Sequence, residues 1–185
     1  KMYDNMMNKY QYGNLKQPGL YIDETTMRMC YTHRRWFANL ITNLVNEGKL
    51  DKARKALAKC AQEIPDYNVP HDVNSASLDI AEASIVCQQP DKALSIMQQL
   101  EKRGLEYAAW YLSLGDAYFR NSATHCAREL YHLGRIMKLY MDMSDIIASK
   151  HEQFSKKSQI LEQQCNELGS MLNQRCNQLG INLYR

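Results

Sequence analysis

Apolar residues recur at three- and four-residue intervals along most of this chain, the spacing of helices with one buried face. Met27, Cys30, Phe37, Leu40, Ile41 and Leu44 form the first such stripe, opened by "DETT" and running to about Asn46. Glu47-Gly48 ends it, since glycine accepts the left-handed backbone that helix ends require. Asp51 starts a second helix with Ala53, Leu57, Cys60 and Ile64 inward, and Pro65 stops it. The pattern restarts after "DYNVPHDVNSAS", predicting a helix from about Asp72 to Cys87 that presents Leu78, Ala81 and Ile85. Pro90-Asp91 suits a helix's first turn; Ala93, Met97 and Leu100 follow, and Gly104 closes that helix. A third pair begins near Leu105, breaks around Asn121-Ser122 and continues to about Met143. Beyond it, Ile147, Phe154, Leu161, Cys165, Leu168, Leu172, Cys176 and Leu179 stripe a background rich in Gln, Asn and Lys. This predicts one long amphipathic helix, closing the stack or pairing with another chain.

The tripeptide DKA occurs at Asp51 and again at Asp91, each time ahead of the same apolar spacing. Its setting fits the tetratricopeptide pattern, W-x2-L-G-x2-Y on one helix and A-x3-F with a terminal proline on the next. Aligned on the DKA alanine, Phe37, Leu40, Ile41 and Leu44 fall on helix A of the first unit. Ala53, Leu57, Cys60 and Pro65 fall on its helix B. The third unit supplies Tyr111, Leu114, Gly115 and Tyr118, then Ala127, Tyr131 and Gly134. The second fits at Ile80, Ala81, Ala93, Met97 and Leu100, but Ser77 and Ser84 stand where large residues belong. The fold class expected is all-α: a tetratricopeptide-like stack of about three hairpins with a long C-terminal capping helix. Residues 1–22 form an arm and loop, 23–143 the repeats and 144–185 the capping helix.

Composition narrows the functions. A chain of 185 residues with 45 % hydrophobic and 23 % charged residues fits one globular domain. A net charge of +3, without aromatics on a sheet or a glycine-rich clamp, gives no nucleic-acid partner. The six cysteines include no C-x-x-C pair and read as buried free thiols. No apolar run approaches the roughly 20 residues that cross a bilayer. The chain opens on Lys1, which reads as a piece of a longer protein.

"KMYDNMMNKYQYGN", "PGLYIDETTMRMCYTHRR", "IPDYNVPHD" and "YAAWYLSLGD" together resemble the soluble C-terminal tail of a family of large bacterial membrane proteins. The polytopic N-terminal region of that family is similar to protein O-mannosyltransferases. The resemblance implies a parent that is a lipid-donor glycosyltransferase, with its catalytic carboxylates in the membrane portion and a periplasmic tail. No catalytic residue carries over to this chain.

Candidate chemistry is sparse. His125, Glu129 and His132 share a helix face at i, i+4 and i+7 and could ligate zinc, with Cys126 beside them, although the spacing matches no standard motif and a solvated face is the simpler reading. The repeat mapping places Arg35, Thr42, Asn46, Glu82, Asp116 and Arg120 on the concave helix-A side, where a protein or peptide would dock. Ala38 and Thr42 occupy the places of a carboxylate clamp, excluding that mode of recognition. The tyrosines and tryptophans are assigned to packing. No phosphate loop, nucleophile-base pair or cofactor site can be assembled. The expectation is a non-catalytic interaction module; the alternatives are a freestanding scaffold that self-associates through its last helix and, behind it, a metal-dependent enzyme using His125, Glu129 and His132.

Overall fold

The computed structural model describes residues 1–147 and 151–183, and these are all-helical, without a strand among them. Helix α1 (Met2–Asp4) runs into a π-helical turn at Asn5–Lys9, and a loop leads to α2 (Glu24–Asn46). Then come α3 (Leu50–Glu63), a 3-10 turn at Val73–Ser75, α4 (Ser77–Val86) and α5 (Pro90–Ser113). Two long helices complete the chain, α6 (Asp116–Ile146) and α7 (His151–Leu179). Contacts divide it into two units, Lys1–Met97 and Gln98–Arg185. The division falls within α5 and inside the stretch expected to form one repeat array.

In the first unit the local signals act as expected. Asp23 caps α2 by accepting from the backbone N–H groups of Thr25 (2.9 Å) and Thr26 (3.1 Å). Gly48 takes φ +70° at the turn into α3. Asp51 is the second residue of α3, where its charge favours the helix's positive end, and it pairs with Arg54 at 2.9 Å. Phe37, Ile41, Ala53, Leu57 and Ile64 are buried between the helices. Alanine at position 53 leaves α2 room to approach, and the large side chains fill the remaining space.

The α3–α4 connection departs from the predicted helix over 72–87. Ala76 adopts the left-handed conformation (φ 55°), so the segment splits into a 3-10 turn and α4. The split has a physical cause next to it. Arg34 is 1 % exposed, and its guanidinium donates to the carbonyls of Pro70 (2.8 Å), Ile64 (3.1 Å) and Val69. On the other side of the same loop, Asn68 donates to Leu15 O (2.7 Å) and Gln17 O (2.6 Å), and Tyr67 to Lys16 O (2.7 Å). The loop that stretches the DKA spacing to 40 residues is thus held by α2 and by the N-terminal arm. Met6 and the ring of Tyr12, 5.7 Å from Phe37, finish the arm's packing.

The second unit corrects the sequence reading at two points. Gly104 does not close a helix: α5 runs through it to Ser113. A Cβ at position 104 would stand 2.9 Å from Leu133 Cδ2, so the glycine serves close helix approach rather than chain reversal. The break expected at Asn121-Ser122 lies instead at Leu114-Gly115, and α6 is continuous from Asp116. The third tetratricopeptide signature therefore straddles a turn. Leu133 against Gly104, Cys126 on Ala108 O (3.7 Å) and Tyr140 on Glu101 (2.6 Å) set α6 antiparallel to the later turns of α5.

Helix α7 returns antiparallel along α6, with Ser158 donating to Met137 O (3.3 Å) near one end and Arg175 pairing with Asp116 (2.9 Å) at the other. Phe154, Leu161, Leu172 and Cys176 bury the expected stripe, while Ile147 belongs to the end of α6. Cys165, Leu168 and Leu179 of the same stripe are half-buried. Five of the six cysteines are buried, Cys165 is half-buried, and all six are free thiols.

Two glycines in helices make opposite predictions. Gly134→Ala has open space and should gain about 0.5–1 kcal/mol from helix propensity. Gly104→Ala gains the same propensity but overpacks Leu133, and should lose about 1 kcal/mol net. Urea midpoints of the two variants measured side by side check this; equal shifts would remove the close-approach role. Arg34→Met should cost about 3–5 kcal/mol by stranding buried carbonyls. Arg34→Lys should recover part of that loss, because an ammonium lacks the guanidinium fork.

Candidate functional site

Three of the six groove candidates lie on one face of α2: Arg35, Thr42 and Asn46 are exposed and spaced i, i+7 and i+11. Arg35 makes a local bond to Thr32 Oγ1 (2.9 Å). Glu82 is half-buried on α4, which packs against α2 in the same unit. Asp116 and Arg120 belong to the second unit, where both are engaged by α7. Asp116 holds Arg175, and Arg120 donates to Leu179 O at 2.8 Å. Arg175 also donates to Leu112 O (2.6 Å) and lies 4.1 Å from the Phe119 ring, so this end of the helical pair is tied by several groups at once.

The aromatic residues do not follow the packing assignment. Trp110 is 52 % exposed, Trp36 40 %, and Tyr118 and Tyr131 more than either, whereas Tyr140 is fully buried. Exposure on this scale follows from helix geometry: Arg103, Tyr107, Trp110 and Tyr111 share one side of α5, while Gly104, Ala108 and Leu112 turn inward. The guanidinium of Arg103 covers Tyr107 at 5.2 Å. Trp110 packs on Tyr111 (4.9 Å), which stacks on His125 of α6 (6.1 Å). The result is a continuous aromatic surface with one cation at its end. A period-four reading of 103, 107 and 111 could have found it in the sequence.

His125 is thereby part of that surface. Glu129 is buried and His132 half-buried, and among the described residues no group of three His, Cys, Asp or Glu side chains is placed to hold a metal. In the first unit, Trp36 forms a smaller aromatic patch with His33 (4.8 Å) and Tyr10 (6.4 Å).

Sequence reasoning passed over Arg34 in favour of its neighbour. Beyond the three carbonyls, its Nη1 reaches Ser75 Oγ (3.5 Å), Ser75 meets Ser77 (2.7 Å), and Ser77 meets His71 Nδ1 (2.9 Å). This explains the serine where the repeat expects a large residue: Ser77 is fully buried as a relay of hydrogen bonds, not a packing group. Ser84 closes on its own helix, donating to Ile80 O (2.7 Å). Burial, and secondarily the nearby guanidinium, push the His71 pKa down to about 4. Burial also raises the thiol of Cys60 to about 12, which makes it inert as a nucleophile near neutrality.

Compared with protein-family models, curated proteins and solved structures, the chain matches none of them. Among the described residues no helix is long and apolar enough to cross a membrane.

The His71 environment sets a pH dependence. Above its ordinary pKa of 6.5, His71 is neutral in both folded and unfolded chains. As pH falls below that value the unfolded chain takes up a proton that the folded chain refuses until about pH 4. Stability should therefore fall across this window, by on the order of 3 kcal/mol from this group. In urea titrations at neutral and mildly acid pH, His71→Gln should lose correspondingly less than the parent chain. An identical acid loss would exclude His71 as the titrating group.

Proposed function

We propose that this chain is a non-catalytic interaction module of the tetratricopeptide-like kind, and that it forms the tail of a membrane protein similar to O-mannosyltransferases. The observation that carries the interaction reading is the exposed aromatic surface of α5. Tryptophan, tyrosine and arginine are the residues that dominate binding energy at protein interfaces, and the two aromatic ones bury a large area at low conformational cost. Here they stand together at the surface, when two of the same ring types could have filled a core. The partner is a protein or peptide with apolar groups to match the rings. The exposed α2 residues Arg35, Thr42 and Asn46 offer a second, more polar contact area, with Glu82 beside them. The reading of α7 as a self-association helix is less favoured, because Phe154, Leu161, Leu172 and Cys176 of its apolar stripe are already buried within the chain.

One experiment in native cells tests both halves. A photo-crosslinking phenylalanine analogue replaces Trp110, with Gln159 as the exposed control position. A discrete adduct is expected from position 110 and not from 159. The parent band, followed by antibody, should remain with the membranes far above 21.5 kDa. Adducts from both positions or neither would remove the aromatic surface. A soluble band near 21.5 kDa would remove the membrane parent.

A further inference from the structure

Beside the Arg34 loop the first unit contains a cleft of about 280 Å³, at the lower limit of small-ligand pockets. Its walls combine aliphatic side chains (Leu57, Ile64, Ile80, Ile96) with two cations, Arg34 and Lys92. Lys92 is half-buried, and among the described residues its ammonium makes no ion pair or hydrogen bond. An ammonium withdrawn from water without an acceptor is unfavourable. Its position compounds this, because Lys92 is the third residue of α5, where the helix end is itself positive.

The rest of the lining leaves the excess in place. Arg34 cannot shed its charge, and its donors are directed at carbonyls and Ser75, so it contributes a field rather than a contact. Asp66 is the lining carboxylate; it is exposed and already acts on Arg34 and His71. His71 is neutral at pH 7 and bonded to Ser77. One acid thus faces two cations. Burial lowers the pKa of Lys92, as expected of a cation that lacks a counter-charge.

We infer that this cleft binds a small aliphatic carboxylate, its anionic end on Lys92 and its hydrocarbon against Ile64, Ile80 and Ile96. Ser95, one turn on from Lys92, offers a hydroxyl as second donor. A single free ammonium and an apolar wall suit a monoanion with a hydrocarbon body better than a phosphate dianion, which needs more donors and no apolar surface. This inference is independent of the α5 surface and stands or falls separately from it.

The test is titration of the full chain with hexanoate, followed through the methyl resonances of Ile64, Ile80 and Ile96 and through Tm. Saturable methyl shifts and a rising Tm are expected, with 1-hexanol at the same concentrations producing neither. Lys92→Met should weaken hexanoate by about tenfold or more, and Lys92→Arg should retain it. Since Lys92 has no partner to lose, Lys92→Met is expected to keep or raise the ligand-free Tm; Lys92→Gln provides the same charge removal in a second background. Equal effects of hexanol and hexanoate would overturn the proposal, as would undiminished binding to both neutral variants. Preferential binding of inorganic phosphate would overturn the carboxylate assignment.

Discussion

The first unit is organised around a positive charge that has been taken out of water. Arg34 sits among Cys30, Phe37 and Ile41 on the inner face of α2, and what makes its burial tolerable is a set of backbone carbonyls. Carbonyl groups of a loop normally turn to solvent. Here three of them converge on one guanidinium, fixing the path of the chain between α3 and α4. The left-handed Ala76, the buried serines and the offset start of α4 all follow from holding that path. The N-terminal arm then needs no long helix of its own, because Asn68 and Tyr67 reach out from the same loop to hold it.

The second unit solves its packing differently. Its inner surface is hydrocarbon and sulfur: Ala108, Leu112, Phe119, Ala123, Cys126, Leu172 and Cys176 form one cluster. Small residues at 104 and 108 let helices approach, and Arg175 and Arg120 fasten α7 to the start of α6. Its helices bury small and aliphatic side chains against one another and leave the large aromatic residues of α5 facing outward, and the proposed interaction surface is a product of that allocation.

What could be read from the sequence was whatever depends on neighbours in the chain. The α2–α3 hairpin and α7 follow from stripes of three and four and from Gly48, because amphipathicity and a left-handed turn are local properties. Gly104 is ambiguous in the sequence for a definite reason. Glycine signals either a backbone turn or the need for no side chain, and only Leu133, 29 positions away, decides between them. Arg34 left a trace, since positions 30, 34, 37 and 41 form one inward face and a charged residue among them demands partners. Those partners are main-chain carbonyls, which carry no residue identity. The aromatic surface was legible in spacing, but repeat consensus assigned the same residues inward.

The dependence of Arg34 on the 64–70 loop also bears on how such a chain can change over time. A deletion that removed Val69 and Pro70 would take two of the three carbonyls from a buried cation. Loss of the arginine alone would leave the longer loop without its anchor. Each change alone carries a cost that the other would relieve, so the 64–70 loop and Arg34 constrain one another's replacement.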